Sequence, residues 1–306
     1  MTTGVVVMAY GTPASMDEVG AYYTHIRRGQ PPTPELLADL ERRYRAIGGT
    51  SPLATRSEAQ RARLQSALDE LAPAAYRVVL GHKHAPPFIE DAVASLAADG
   101  LRRAVGLVLA PHYSRASVGE YLARLRAAAA DRNMTVATID SWHVEPPLVD
   151  FLAGAVKEGL GALPERTKVL FTAHSLPVKA MAPDDPYEKQ LRATARAVAE
   201  RNGLDPWSGW ATSWQSPGRT RDPWLGPDVL AVIADLGATG RADGVLVCPH
   251  GFTSDHLEVL YDLDIAAAAA ANVAGLAFGR TRSVNDDPDV FAALAARVAA
   301  ATPTDP

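Results

Sequence analysis

Seven of the eight histidines in this 306-residue sequence lie in, or just after, short apolar runs that have the composition of β-strands. These seven are His82, His84, His112, His143, His174, His250 and His256. A histidine whose pKa is near neutral can bind a metal or accept a proton. Because ligands of parallel α/β sheets bind at the carboxyl ends of the strands, this distribution predicts a metal or proton-transfer site there.

Three carboxylates follow the seventh run at the spacing i, i+3 and i+7: Asp255, Glu258 and Asp262. On an α-helix this spacing places all three on one face, where like charges repel unless solvent or a cation compensates them. A solvated helix face is the alternative interpretation. Their position directly after a strand, among apolar neighbours, favours a divalent metal in transit that is bound by mixed nitrogen and oxygen ligands, with His174 contributed from another strand end.

Other polar residues have weaker signals. A lone histidine in a tight loop, such as His174 in the segment His-Ser-Leu-Pro, is often structural. His82 and His84 alternate on an extended segment, so their side chains are expected to point apart. Arg27 and Arg43 belong to a basic group near the amino terminus. That group is either a solvated helix face or a site for carboxylates, which the planar guanidinium binds well.

The elements that would position these residues are short apolar strands alternating with helical stretches. The predicted strands span 5–8, 76–81, 105–109, 135–139, 168–172, 210–213, 244–248 and 275–278. Their order predicts an α/β protein with two flavodoxin- or Rossmann-like lobes, each a four-stranded parallel sheet flanked by helices. We expect the lobes to span 1–145 and 146–306, with a bridging helix over 148–161 and the last helix, 288–301, packed back on the first lobe.

Composition excludes several functional classes. The net charge of −5 argues against a nucleic-acid binder. The single cysteine, Cys248, excludes a four-cysteine zinc or iron–sulfur site and is typical of a reducing, cytoplasmic compartment. Neither a signal peptide nor a run of about 18–20 apolar residues is present. Glycine-rich nucleotide loops and the Gly-x-Ser-x-Gly elbow are also absent, so an enzyme of another class is expected.

Several longer motifs occur in order over nearly the whole chain. They are MAYGTP at 8–13, YYTHIRRG at 22–29, GGTSPL at 48–53, KHAPPFIEDA at 83–92, LAPHYS at 109–114, AHSLP at 173–177, WQS at 214–216, DPWLGP at 222–227 and GFTSDHLEVLYD at 251–262. Together these motifs resemble those of the ferrochelatases. The resemblance implies a chelatase fold with a cleft between two lobes. It also implies insertion of ferrous iron into a porphyrin, and the most similar branch, from Gram-positive bacteria and actinobacteria, converts coproporphyrin III into coproheme in heme biosynthesis.

The resemblance implies a role for individual residues. His174 and Glu258 match the catalytic pair of the family and, with Asp262, its metal-binding positions. Tyr10 matches the tyrosine on the opposite face of the macrocycle. Residues that match porphyrin-binding positions through the propionates are Arg27, Arg43, Ser51 and Tyr121. One departure is Ala266, where relatives often continue the acidic stripe of Glu258 and Asp262 by another turn.

The resemblance also implies partners and cofactors. Coproporphyrin III and ferrous iron are substrates, and no cofactor is permanently bound. A [2Fe–2S] cluster, which many actinobacterial relatives contain, is excluded by the single cysteine. We expect a cytoplasmic monomer without nucleic acid, without the membrane-anchoring extension of other branches, and with transient contact to the next, coproheme-using enzyme.

Two alternatives stay open. Within the same class, the substrate could be protoporphyrin IX, or another divalent metal and a related tetrapyrrole. From another class, the protein could be a heme or porphyrin carrier without catalysis. The presence of both His174 and Glu258 argues against a carrier, because a carrier needs only one axial ligand. Neither the first proton acceptor of the pair nor the side of metal entry follows from the sequence.

Overall fold

Within residues 2–218, 220 and 222–303, which the computed structural model describes, eight strands form two parallel four-stranded sheets. The first sheet, in the order β2-β1-β3-β4, contains β1 (Thr3–Ala9), β2 (Tyr76–His82), β3 (Arg103–Val108) and β4 (Thr135–Ile139). The second sheet, in the order β6-β5-β7-β8, contains β5 (Thr167–His174), β6 (Trp210–Gln215), β7 (Gly244–Cys248) and β8 (Ala277–Arg280). The predicted fold class is therefore confirmed.

Helices flank both sheets. Those of the first half are α1 (Val19–Ile26), α2 (Pro34–Ala46), α3 (Leu53–Leu71), α4 (Ile89–Ala98) and α5 (Val118–Ala130). Those of the second half are α6 (Pro146–Gly161), α7 (Tyr187–Arg201), α8 (Val229–Thr239), α9 (Leu257–Val259), α10 (Ala268–Val273) and α11 (Pro288–Ala301). Short 3₁₀ turns occupy Met16–Glu18 and Val178–Ala180, and a π-helical segment, Leu260–Ala267, joins α9 to α10.

The strands form where the sequence is apolar without alternation, because helices cover both faces of each sheet. All residues of β1 and β7, which are inner strands, are buried. Helix starts follow local capping: Thr33 caps α2 before Pro34, and Asp228 caps α8. The predicted last strand, 275–278, was wrong by two residues. Gly275 has a φ of +71° and belongs to the turn after α10, so β8 begins only at Ala277.

One apolar core extends through both halves of the chain. Leu64 and Leu68 of α3 belong to the same buried cluster as Phe171 of β5 and Phe291 and Leu294 of α11. Helix α11 packs against α3 and also contacts α6 and β4. The last helix thus packs on the first half of the chain and on α6, while the boundary between 145 and 146 stays a prediction. In the described part of the chain, no helix is both long enough and apolar enough to cross a membrane.

Candidate active site

A cavity of about 690 Å³ opens at the carboxyl ends of the strands of both sheets. This volume lies within the range of about 300–1,000 Å³ that is typical of small-molecule sites. Of the eight predicted site residues, seven line it: Tyr10, Arg43, Ser51, Tyr121, His174, Glu258 and Asp262. The eighth, Arg27, is not among the described residues that line the cavity. Its Nε donates to the Gln30 carbonyl oxygen at 3.2 Å, and its guanidinium lies 5.8 Å from the ring centroid of Tyr23, which does line it.

His174 and Glu258 contact each other in the second half of the chain. His174 ends β5, Glu258 lies in α9, and their Nδ1 and Oε2 atoms are 3.1 Å apart. About a third of each side chain is exposed to the cavity. Since Nδ1 donates to the carboxylate, the lone pair of a neutral His174 is on Nε2, which is then free to accept a proton or bind a metal.

The two pKa values of this pair shift in opposite directions. Burial alone lowers the pKa of His174, but the charge and hydrogen bond of Glu258 raise it above its ordinary value. Burial alone raises the pKa of Glu258, but the charge and hydrogen bond of His174, with help from His256, hold it below its usual range. The proton of the pair therefore resides on His174, and the two groups titrate as one unit.

Two residues to which the sequence analysis assigned no individual role position Glu258. His256 Nδ1 donates to the Ser254 carbonyl oxygen at 3.0 Å, and its Nε2 lies 3.7 Å from Glu258 Oε2. Gln215, at the end of β6, donates from Nε2 to the Glu258 carbonyl oxygen at 3.2 Å. The signal that could have identified both is their position in the motifs at 214–216 and 251–262.

The sequence predicted that three carboxylates share one helix face, and this prediction was wrong for Asp255. His256 is extended and α9 begins at Leu257, so Asp255 precedes the helix. The Asp255 carboxylate accepts hydrogen bonds from three side chains: Arg280, Ser283 and Asn285. Glu258, Asp262 and Ala266 do line the cavity together, and the last two belong to the π-helical segment. Such segments are rare and frequently occur at functional sites.

Asp262 is bound at both carboxylate oxygens. Its Oδ1 lies 3.3 Å from Arg43 Nη1, and the Ser216 hydroxyl donates to its Oδ2. Burial and the charge of Glu258 raise the pKa of Asp262, although Ser216 and Arg43 oppose the shift. Ser216 has a φ of +58°, a strained conformation for a residue other than glycine that persists only where the surroundings fix it. Asp262 is thus the carboxylate near Glu258 that protonates more readily.

Tyr10 faces the cavity from the first half of the chain. It follows β1, and its ring centroid lies 4.6 Å from that of His84. His84 Nδ1 is 3.1 Å from His25 Nδ1, so one ring donates to the other. Burial and the charges of Lys83, His25 and Arg124 lower the pKa of His84 to about 3. Burial and Glu258 raise the pKa of Tyr10, which is therefore a neutral phenol at physiological pH.

Ser51 and Tyr121 are both buried where they line the cavity. The Ser51 hydroxyl accepts a hydrogen bond from the Leu53 amide at 3.2 Å, so its own proton is available to a ligand. Lys83 Nζ lies 5.2 Å from the ring centroid of Tyr121 and pairs with Glu120. Ser51, Tyr121 and Arg43 thus provide hydrogen-bond donors on the first-lobe wall of the cavity. Such donors suit carboxylate groups.

Three other strand-end histidines form a cluster between the two sheets. Ring centroids of His112 and His250 are 5.3 Å apart, and those of His112 and His143 are 5.9 Å apart. Thr194 donates to the His143 carbonyl oxygen at 2.7 Å, so His112 Nε2, 2.9 Å from the same hydroxyl, is a donor. Burial lowers the pKa of His112 and His143, and that of His250 to about 4. This cluster is therefore neutral.

We expect this cluster to make the protein sensitive to acid. A histidine that stays neutral when folded but charges when unfolded stabilises the fold fully above about pH 6.5, and this stability is lost as the pH falls toward 4. For His250 the full effect is about 3 kcal/mol. Urea unfolding of the wild type and His250→Asn at a series of pH values measures it. As the pH falls from about 6.5 to 4, His250→Asn should lose less free energy of unfolding than the wild type. Equal losses would contradict the lowered pKa of His250.

The chain is similar to known proteins of one family. A model of the ferrochelatase family matches residues 2–302. A ferrochelatase of Herpetosiphon aurantiacus is 42% identical over 292 residues, covering 94% of this chain and 94% of that protein. A coproporphyrin III ferrochelatase of Geobacillus kaustophilus is 43% identical over 303 residues, covering 97% of this chain and 95% of that protein.

A solved structure shows the same architecture. SirB from Bacillus subtilis with Fe³⁺ has a TM-score of 0.56 and 11% sequence identity, and the match covers 98% of this chain and 95% of that chain. At this identity the similarity shows the fold alone.

Proposed function

This chain belongs to the ferrochelatase family, as its motifs predicted, and we propose that it inserts ferrous iron into coproporphyrin III to give coproheme in heme biosynthesis. The main support is the His174–Glu258 pair, which borders a cavity of tetrapyrrole size and has Tyr10 in the facing lobe. Identity of 43% to a coproporphyrin III ferrochelatase over nearly the whole chain supports this choice of porphyrin.

The cavity suits a flat macrocycle with carboxylate arms. Its walls combine aromatic and aliphatic side chains with a few donors, as ligand sites generally do. Arg43, Ser51 and Tyr121 are the donors that we assign to propionates. Arg27 does not line the cavity, but its guanidinium lies near the ring of Tyr23, which does, and we assign it to a propionate at the rim. We place Tyr10 against one face of the macrocycle and His174 with Glu258 against the other.

Insertion exchanges one Fe²⁺ for two pyrrole protons, so the site must accept protons and remove water from the metal. In its neutral form His174 accepts a pyrrole proton at Nε2 and keeps its hydrogen bond to Glu258. The Glu258 carboxylate stabilises the imidazolium that results and attracts the incoming cation. Asp262, whose pKa is raised, is the next acceptor along the stripe and passes protons outward. We assign metal contact to the same three residues.

Coproporphyrin III should be converted with a higher kcat/KM than protoporphyrin IX. It has four propionates instead of two, and a hydrogen bond to a charged group contributes about 1.5–3 kcal/mol, so a preference of about tenfold or more is expected. Initial rates of Fe²⁺ insertion under anaerobic conditions, with both porphyrins at matched concentrations and reactions without protein as the control, measure it. Equal or faster conversion of protoporphyrin IX would contradict the assignment.

We further propose that the protein has no permanently bound cofactor or iron–sulfur cluster, since its one cysteine is buried in β7. A cytoplasmic monomer is consistent with that unpaired cysteine and with the acidic net charge. We also propose transient contact with the coproheme-using next enzyme, which the resemblance to the ferrochelatase family implies. A carrier function would leave porphyrin binding intact without any metal insertion, and the same rate assay distinguishes it.

A further inference from the structure

Arg43 connects the two lobes across the cavity. It lies on α2 of the first lobe, and its Nη1 is 3.3 Å from Asp262 Oδ1 in the π-helical segment of the second lobe. Its guanidinium also lies 5.0 Å from the ring centroid of Tyr261, and its Nε lies 3.3 Å from Asp39 Oδ2 on the same helix. The neighbouring Arg42 donates to the Tyr261 hydroxyl at 2.5 Å. We call the Arg43–Asp262 contact the latch.

The latch occupies two groups that the proposed reaction needs. Arg43 is the arginine of the cavity wall that suits a propionate, and Asp262 is the second carboxylate of the acidic stripe. With Ser216 on Oδ2 and Arg43 on Oδ1, both carboxylate oxygens of Asp262 are engaged. The positive charge of Arg43 beside Asp262 also opposes the approach of a cation.

The geometry of the latch favours its replacement. Charge-assisted contacts between nitrogen and oxygen are typically about 2.7–2.9 Å and often bidentate, whereas the latch is a single contact of 3.3 Å. A propionate on a flexible arm can bind the two Nη atoms of the guanidinium with two shorter hydrogen bonds, while Nε stays beside Asp39. Asp262 would keep its orientation, because Ser216 still holds Oδ2. Ala266, one turn further, has no carboxylate that could replace Asp262 as a partner.

We propose that Arg43 exchanges partners when the porphyrin binds: a propionate takes the guanidinium, and the released Asp262 carboxylate becomes available to iron and to the pyrrole protons. This inference rests on the proposed function, because the displacing group is a porphyrin carboxylate. The consequence is an order of events. The acidic stripe becomes complete only after the macrocycle is in place, so iron is attracted to a site that already holds its acceptor.

A double-mutant cycle on coproporphyrin III binding tests the latch without any metal. Because Asp262 competes with the propionate for Arg43, Asp262→Asn should lower the Kd by about fivefold. Arg43→Met should raise the Kd by about tenfold or more. In the Arg43→Met background, Asp262→Asn should have no effect. Porphyrin fluorescence titrations measure the Kd values, and Asp262→Ser replaces Asp262→Asn if the latter does not fold.

The matched control is Asp264→Asn. Asp264 lies in the same π-helical segment but pairs with Arg280, so its replacement removes a nearby charge without touching the latch. Its Kd should equal that of the wild type. If Asp262→Asn lowers the Kd fivefold in the Arg43→Met background as well, the effect is general charge repulsion and the latch is overturned. An unchanged or raised Kd in Asp262→Asn alone would also overturn it. Binding without iron insertion would refute the proposed function alone, and no binding at all would refute both.

Discussion

Replacing His174 with alanine is expected to lower kcat for iron insertion by about 10²–10⁴-fold, the contribution typical of a positioned proton acceptor. Coproporphyrin III should still bind with a similar Kd, because the assigned propionate contacts Arg43, Ser51 and Tyr121 belong to the other lobe. The physical reason is the lone pair on Nε2 of neutral His174, which the hydrogen bond from Nδ1 to Glu258 leaves available. Alanine removes this acceptor and leaves Glu258 with His256 as its neighbour.

The measurement combines single-turnover rates of iron insertion with fluorescence titration of porphyrin binding. His143→Asn is the matched control, since His143 also follows a strand and is only half-buried, but does not line the cavity. Exogenous imidazole should restore part of the lost rate in His174→Ala and none in a variant that is merely misfolded. Undiminished insertion by His174→Ala would show that another group accepts the first pyrrole proton.

The architecture could be predicted because each strand is marked by its own short stretch of sequence. Strands covered on both faces need continuous apolar runs, so β1 and β7 were recognisable from the sequence. The position of β8 was not, because Gly275 was assigned to the strand although its positive φ places it in a turn. His174 and Glu258 were predicted from strand ends and from motifs, which are again local signals.

Contacts between distant segments were not predictable in the same way. The pairing of Arg43 with Asp262 joins residues 219 positions apart, and it depends on how α2 lies against the π-helical segment. Periodicity suggested that Asp255 shared a face with Glu258, but this required a helix start that the extended His256 does not allow. Ser216 lies in the motif at 214–216, but its hydrogen bond to Asp262 and its left-handed backbone conformation were not readable from that motif. Tertiary geometry thus decided which polar residues face the cavity.

Replacing Glu258 with glutamine is expected to lower kcat by about 10²-fold or more and to move the acid limb of the pH profile to lower pH. Glutamine has nearly the same shape, and its amide oxygen can still accept the Nδ1–H of His174, so orientation is preserved while the charge is lost. In the wild type that charge raises the pKa of His174 against the effect of burial. Without it, burial prevails and the pKa of His174 falls.

The direction of this shift separates the proposed role from a merely structural one. His174 must be neutral to accept a proton, so the wild-type rate falls as the pH drops through its raised pKa. In Glu258→Gln the remaining rate should persist to lower pH, whereas in the control Asp264→Asn the profile should match the wild type. A variant damaged only in folding would lose rate without moving the limb. An acid limb that stays in place or moves upward would contradict the coupling of Glu258 to His174.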